Sequence, residues 1–245
     1  MLTSDDIDAV VFDMGGVFMI PGPEPMAEIL AEAGIAVEMT GELAHLGHYT
    51  GIRAISELVR ERRLLESDPD MWVAYDRAYF EAVGVADHLQ AAARDARTAV
   101  RNSPDRPPVH RMWSHVLDHN RAALRDIANH RPVAIVSNND GTAAQQCLDM
   151  GICQVGPGPL VEVAALVDSG VLGIAKPDPR IFSPALAALA TDPARTLYVG
   201  DTVHADVHGA TAAGMPVVQL DPYDLHHDHD HWRLPDLVAL AALFG

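Results

Sequence analysis

Lysine is nearly missing from this chain: among its 17 basic side chains Lys176 is the one lysine, and the rest are arginines. Bases of either kind are outnumbered by 34 acidic side chains, and the 245 residues carry a formal charge of −17. That deficit argues against nucleic acid or an anionic lipid surface as partner, since both need a positive field on the protein. It leaves a small phosphorylated substrate open, because a bound metal ion reverses the sign of a local field. Cysteine is scarce as well; Cys147 and Cys153 are too few for a disulfide framework, and a reducing cytoplasm is the simplest setting. No apolar run reaches the ~18 residues that span a bilayer, and the first residues lack the basic-then-apolar pattern of a secretory signal. What is present is ordinary for a packed core, 49% hydrophobic and 21% charged. The length suits one or two domains, as a monomer or homodimer.

The apolar run Ala9-Val-Val-Phe12 ends at Asp13 and is followed at once by Gly15 and Gly16, which predicts a buried strand feeding a tight turn. From about residue 26 to 102 the apolar spacing is helical, with Met26, Ile29 and Leu30 on one face and Ile52, Ile55, Leu58 and Val59 on another. Further helices are predicted over 70–83 and 87–100, and Asn102-Ser-Pro-Asp-Arg-Pro-Pro108 reads as a hinge. Strands and helices then alternate: helix 110–129, strand 132–136, helix 142–150, strand 161–167, helix 181–190, strand 196–199, helix 206–213 and strand 216–220. The pattern predicts an α/β fold, a doubly wound parallel sheet covered on both faces, with an inserted all-helical domain. The expected division is 1–22 with 106–245 for the α/β core and 23–105 for the helical cap.

Ligands of such sheets bind beyond the carboxyl ends of the strands. Asp13, then Ser137 with Asn138, then Asp201 follow three predicted strands; Asp206 lies five positions past Asp201, and Lys176 stands in a loop before a helix. These residue types suit phosphoryl transfer. A carboxylate at Asp13 can attack phosphorus. Asp13 and Asp201 can hold Mg²⁺, a hard cation that takes carboxylate oxygens, with Asp206 supporting them. Ser137 and Asn138 can donate hydrogen bonds to the transferring group, and Lys176 is a compact cation for Asp13 and phosphate.

In this order the stretches Val11-Phe-Asp-Met-Gly-Gly-Val17, Val136-Ser-Asn138, Lys176-Pro-Asp-Pro-Arg-Ile-Phe182 and Val199-Gly-Asp-Thr-Val-His-Ala-Asp206 resemble the four motifs of the haloacid dehalogenase superfamily. The resemblance covers nearly the whole chain, and Gly209-Ala-Thr-Ala-Ala-Gly-Met215 matches the small-residue helix that usually follows. It implies a Rossmann-like core with a helical cap between the first two motifs. It also implies Asp13 as nucleophile, Ser137 (with Asn138 and Gly16) as phosphate-binding groups, Lys176 as electrostatic partner, and Asp13, the Gly15 carbonyl, Asp201 and Asp206 around Mg²⁺. One position departs: phosphatases of the family carry a second Asp, a general acid and base, where this chain has Gly15. General acid–base catalysis is worth about 10²–10⁴-fold. Three consequences are open: a cap residue such as His48 takes the role, the substrate has a good leaving group, or the protein is a weak or non-catalytic binding relative. A mutase, which depends on that acid, is disfavoured. A Schiff-base phosphonate hydrolase is excluded on the same resemblance, since the cap has no lysine. Gly200-Asp201 favours a metal-dependent phosphatase over a haloacid dehalogenase. Separately, His226, His227, His229 and His231 alternate with Asp228 and Asp230, as a transition-metal site or a solvated loop would. Trp72, Tyr75 and Tyr79 fall at helical spacing and suit core packing.

Overall fold

The computed structural model describes residues 3–62, 69–102 and 112–245. Two compact units emerge, one comprising Met1–Phe18 with Val116–Gly245 and the other Met19–His115. The first division falls earlier than the expected 22/23, and the second falls later than the expected 105/106. At both crossings the backbone is extended, and tertiary pairing of two very short strands there is invisible to a periodicity reading. The hinge expected over 102–108 lies outside the described residues except for Asn102, which ends a helix.

Along the chain, β1 is Ala9–Phe12 and β2 is Met19–Ile20; the helical unit follows with α1 (Pro23–Glu32), α2 (Gly41–Arg62), α3 (Pro69–Ala82) and α4 (Gln90–Asn102). Then come β3 (His115–Val116), α5 (Asp118–His130), β4 (Val133–Ser137), α6 (Ala143–Asp149), β5 (Cys153–Val155), β6 (Val161–Val163) and β7 (Leu166–Asp168). The chain continues with α7 (Ser169–Leu172), α8 (Ser183–Leu189), β8 (Thr196–Gly200), α9 (Gly209–Ala212), β9 (Val217–Leu220), β10 (Trp232–Leu234) and α10 (Leu237–Ala241).

The α/β unit is built on a six-stranded sheet in the order β10-β9-β8-β1-β4-β7, and every neighbouring pair is parallel. β1, β4 and β8 are buried along their whole length. This is why they read as largely apolar runs rather than alternating ones. On one face Val11, Ala134, Val136 and Tyr198 pack with Ile181, Phe182, Ala185, Ala210 and Met215. β1 sits where the strand order reverses, flanked by β4 and β8 with Phe12 beside both Ile135 and Val199. Its carboxyl end is therefore the natural crevice of the sheet.

Several expected elements differ. The strand expected over 161–167 divides: Val161–Val163 pairs with β5, and Leu166–Asp168 pairs with β4. The chain changes partner at Ala164 and Ala165, whose small side chains offer little resistance to a bend. The helix expected over 110–129 starts only at Asp118, because His115–Val116 is drawn into pairing with β2. β10 and α10 were not expected at all. β10 is a three-residue edge strand with arginine at its centre, which carries no period. α10 is five residues long, held by the Asp236 carboxylate accepting from Ala239 N at 2.8 Å.

In the helical unit, Met26, Ile29, Leu30, Ile52, Ile55, Val59, Met71, Tyr75, Tyr79 and Phe80 form the core. Gly47 and Gly51, one helical turn apart on α2, face Tyr79 and Tyr75 on α3. A Cβ on Gly51 would stand 2.5 Å from Tyr75 Cδ2, and one on Gly47 2.9 Å from Tyr79 Cδ2. Tyr75 and Tyr79 are thus packed as expected, whereas Trp72 is 38% exposed.

Candidate active site

Four of the residues singled out in the sequence converge at the carboxyl ends of β1 and β8. Asp13 continues the ladder of β1, its N–H donating to Val199 O at 2.8 Å, so its side chain leaves from a fixed backbone. Asp201 follows β8. Asp206 stands on a widened helical turn, Val203–His208, that begins at the Thr202 cap. Asp13, Asp201 and Asp206 are all buried, and each can offer a carboxylate oxygen within 4.8 Å of the others. Lys176, 2% exposed, lies among them: its Nζ is 2.9 Å from Asp13 Oδ1 and 2.7 Å from Asp206 Oδ1.

The Asp206 carboxylate is fully engaged. Oδ1 accepts from Lys176 Nζ and from Tyr198 OH at 2.8 Å; Oδ2 accepts from Asp201 N at 3.1 Å, Thr202 N at 2.9 Å and Thr202 Oγ1 at 2.7 Å. A carboxylate has about four lone-pair sites, so Asp206 has little left for an ion and instead organises the turn after β8. Asp13 differs. Its buried Oδ1 has the Lys176 ammonium as ion-pair partner but no hydrogen bond of good geometry.

Burial drives the electrostatics. Asp13 is pushed up to about 7, chiefly by desolvation, with Asp206 and Asp201 adding repulsion that Lys176 only partly offsets. Asp201 is raised to about 8 by desolvation and then by the Asp206 charge. Asp206 is lowered: burial opposes its charge, but Lys176 and the Thr202 donors outweigh that. Lys176 is raised, since Asp13 and Asp206 outweigh its own desolvation. One ammonium therefore serves three carboxylates, and two of these resist ionising without more positive charge. The residues fit a divalent cation on that ground: Asp13 and Asp201 are hard oxygen donors, close together and under-compensated.

Gly15 and Gly16 form the turn beyond Asp13. Gly16 has φ +67°, and a Cβ there would lie 2.1 Å from Asp201 Oδ2. Its place in the site is steric: the first loop passes Asp201 so closely that only hydrogen fits. Ser137 ends β4 and is buried. Asn138 was expected to contact substrate, yet its carboxamide clasps the backbone of Lys176. Lys176 N donates to Asn138 Oδ1 at 2.8 Å, and Asn138 Nδ2 donates to Lys176 O at 3.1 Å. Asn138 thus aims the lysine.

Sequence reasoning missed Tyr198, Thr202 and Gln219. Tyr198 OH accepts from Lys176 Nζ at 3.0 Å while donating to Asp206, so it braces the ion pair from beneath. The available signals were a phenol and an amide inside strands otherwise apolar, and a threonine directly after Gly200-Asp201. His48 lies in the helical unit, is fully buried, and meets Tyr75 OH through Nδ1 at 3.0 Å, with the rings of Tyr49 and Trp113 beside it. Desolvation, then Arg97, lowers its pKa to about 3. His48 is thus held as a neutral imidazole at neutral pH. The 226–231 run is not gathered as a metal site: among the described residues only the aspartate triad brings three ligand atoms together. Nor is it simply a solvated loop, since His226 is 1% exposed. Cys147 and Cys153 are free and buried.

A buried aspartate at the sheet's switch point is thus paired to a lysine and flanked by two further acids. Residues 7–214 match the haloacid dehalogenase-like hydrolases, and the chain belongs to that family. Among curated proteins it is similar to the phosphoserine phosphatase of Thermus thermophilus, 42% identical over 67 residues, or 27% of each chain. It is also similar to the glyceraldehyde 3-phosphate phosphatase of Methanopyrus kandleri, 40% identical over 55 residues, 22% of this chain and 24% of that one. The chain thus spans about a quarter of the length of these relatives. Its fold resembles a magnesium-bound HAD-hydrolase structure from Bacillus subtilis (TM-score 0.58, 14% identity, 98% of this chain and 99% of that one). It also resembles a HAD phosphatase from Thermococcus onnurineus (TM-score 0.55, 16% identity, 98% of each). A 2-haloacid dehalogenase from Pseudomonas syringae shares the fold too (TM-score 0.51, 21% identity, 97% of each).

Proposed function

We propose that this protein is a cytoplasmic, Mg²⁺-dependent phosphatase of a small phosphorylated metabolite, with Asp13 as nucleophile and residues 23–105 acting as a cap that selects the substrate. One observation supports this reading above the rest: Lys176 Nζ touches Asp13 and Asp206 at 2.9 and 2.7 Å inside a buried site that still lacks positive charge. The local matches to two phosphatases point the same way. Asp13, the Gly15 carbonyl and Asp201 would hold the ion, with Asp206 fixing the backbone around them. The bound ion supplies charge that offsets the phosphate's and lets both acids ionise.

An Asp13 oxygen attacks phosphorus while the ester P–O bond breaks and its electron pair leaves with the alcohol oxygen. Water then cleaves the aspartyl-phosphate, releasing phosphate and restoring the carboxylate. Lys176 holds Asp13 in line and faces the phosphoryl oxygens, and Ser137 donates to them. With Gly15 in place of an acid, the departing oxygen receives no proton from that position, so substrates with good leaving groups are favoured.

Two measurements test this. Asp13→Asn abolishes phosphate release, and beryllium fluoride with Mg²⁺ forms a stable adduct with the native protein but not with that variant. Failure of the adduct points to the second reading, a non-catalytic binding protein of this fold, which Gly15 favours. Metal-independent halide release from a 2-haloacid would instead indicate a dehalogenase. Nitrophenyl phosphate is turned over faster than a simple alkyl phosphate, and Gly15→Asp narrows the gap; equal rates in the native protein would sink the leaving-group account.

A further inference from the structure

The His/Asp-rich segment has no role in the chemistry above, yet one of its members joins the site through a chain of hydrogen bonds. Gln219 is the third residue of β9, in register with Gly200 on β8, and is fully buried. An amide placed there needs partners at both ends, since an unsatisfied buried polar group costs on the order of 1–3 kcal/mol. It has them. Nε2 donates to the backbone carbonyl of Asp201 at 2.7 Å, and Oε1 lies 2.6 Å from His231 Nε2.

The direction of this chain follows from chemistry. A carbonyl only accepts, so Gln219 presents its N–H₂ to Asp201. Its oxygen is thereby left to His231, whose Nε2 must carry the proton. His231 in turn is delivered by a segment folded on its own polar contacts. The Asp221 carboxylate accepts from Leu225 N at 2.9 Å and His226 N at 2.8 Å, Arg233 Nη1 donates to His229 O at 2.8 Å, and Trp232 pairs beside Val218 at the sheet edge.

The Asp201 carbonyl belongs to the first peptide beyond β8. Holding it fixes the direction in which the chain leaves the strand, and with it the position of a carboxylate that already grazes Gly16. We infer that Gln219 and His231 are positioning residues for Asp201, and that the His/Asp-rich segment serves as a buttress for the candidate ion site. The inference rests on reading Asp201 as a metal acid. Groups one step behind a ligand typically change metal affinity by about 10–100-fold when removed.

The test uses Mn²⁺ alone, its binding to the full chain followed by loss of the free-ion electron paramagnetic resonance signal, so no turnover is needed. Gln219→Met and His231→Phe each weaken Mn²⁺ binding by about tenfold or more, while His231→Gln, which can still donate an N–H to Gln219, recovers most of the loss. Asp201→Asn serves as reference. If Asp201→Asn loses Mn²⁺ but Gln219→Met and His231→Phe bind within twofold of native, the buttress is refuted and the phosphatase reading stands. If His231→Gln is as impaired as His231→Phe, the loss comes from packing and the hydrogen-bond chain is refuted. If Asp201→Asn itself binds Mn²⁺ as the native protein does, Asp201 is no metal acid and both readings fall. Should Gln219→Met not fold, the pair at His231 decides, two hydrogen bonds from the acid and half-buried.

Discussion

Replacing Lys176 with methionine removes the one ammonium that two buried carboxylates share, at 2.9 Å from Asp13 and 2.7 Å from Asp206. Truncating one member of a buried ion pair costs about 3–5 kcal/mol, because the partner's charge is left uncompensated. Whole domains are stable by only about 5–15 kcal/mol. At about 2–4 °C per kcal/mol for a chain of this size, the melting temperature falls by roughly 6–20 °C near neutral pH. The deficit depends on pH with a definite sign. Asp13 is already raised to about 7 by burial and by its acidic neighbours, so the folded state binds more protons than the unfolded state from the ordinary carboxylate range up to there. Stability contributed in that window is present at low pH and lost as pH rises through the folded value. Without Lys176 the folded value of Asp13 moves up further, Asp206 loses the partner that holds it low, and the window extends. Thermal unfolding in a chelator at about pH 5, 6, 7 and 8 therefore shows native and Lys176→Met curves drawing apart as pH rises, and Mg²⁺ restores part of the loss. A deficit below about 2 °C at pH 8, or one equal at every pH, would refute the claim that the lysine compensates these acids.

Gly16→Ala drives a methyl group into the Asp201 carboxylate, 2.1 Å from Oδ2, at a φ of +67°; Mn²⁺ binding and turnover are both lost while the far-ultraviolet circular dichroism stays native. Protons compete with the ion for Asp13 (about 7) and Asp201 (about 8), so the Mg²⁺ concentration for half-saturation falls as pH rises through that range, by about tenfold per unit for each proton displaced; a pH-independent value would contradict direct ligation by these acids. In the helical unit, Gly51→Ala raises helix propensity by about 1 kcal/mol, yet its Cβ meets Tyr75 at 2.5 Å. Overpacking at about 1–3 kcal/mol wins, and the urea midpoint drops.

The parallel sheet was legible because β1, β4 and β8 are buried on both faces, so their sequences are mostly apolar and do not alternate. Strand ends could then be located, and Asp13, Ser137 and Asp201 read off them. The lysine was legible through its rarity and its place in the third motif. What a single strand cannot display is where its polar atoms find partners. Asn138 looks like a substrate donor until Lys176 N and O are seen 2.8 and 3.1 Å away. Asp206 looks like a third ligand until its oxygens are found to hold five donors. Tyr198 and Gln219 look like odd polar residues in apolar strands until β8 and β9 bring them to Asp206 and Asp201. The sequence by itself determined the family, the sheet and the order of the acids, because burial and chain direction are written locally. Only the tertiary structure decided which acid is saturated with donors, how the lysine is aimed and what lies behind Asp201. Those depend on hydrogen bonds between strands that are distant along the chain and adjacent in the sheet.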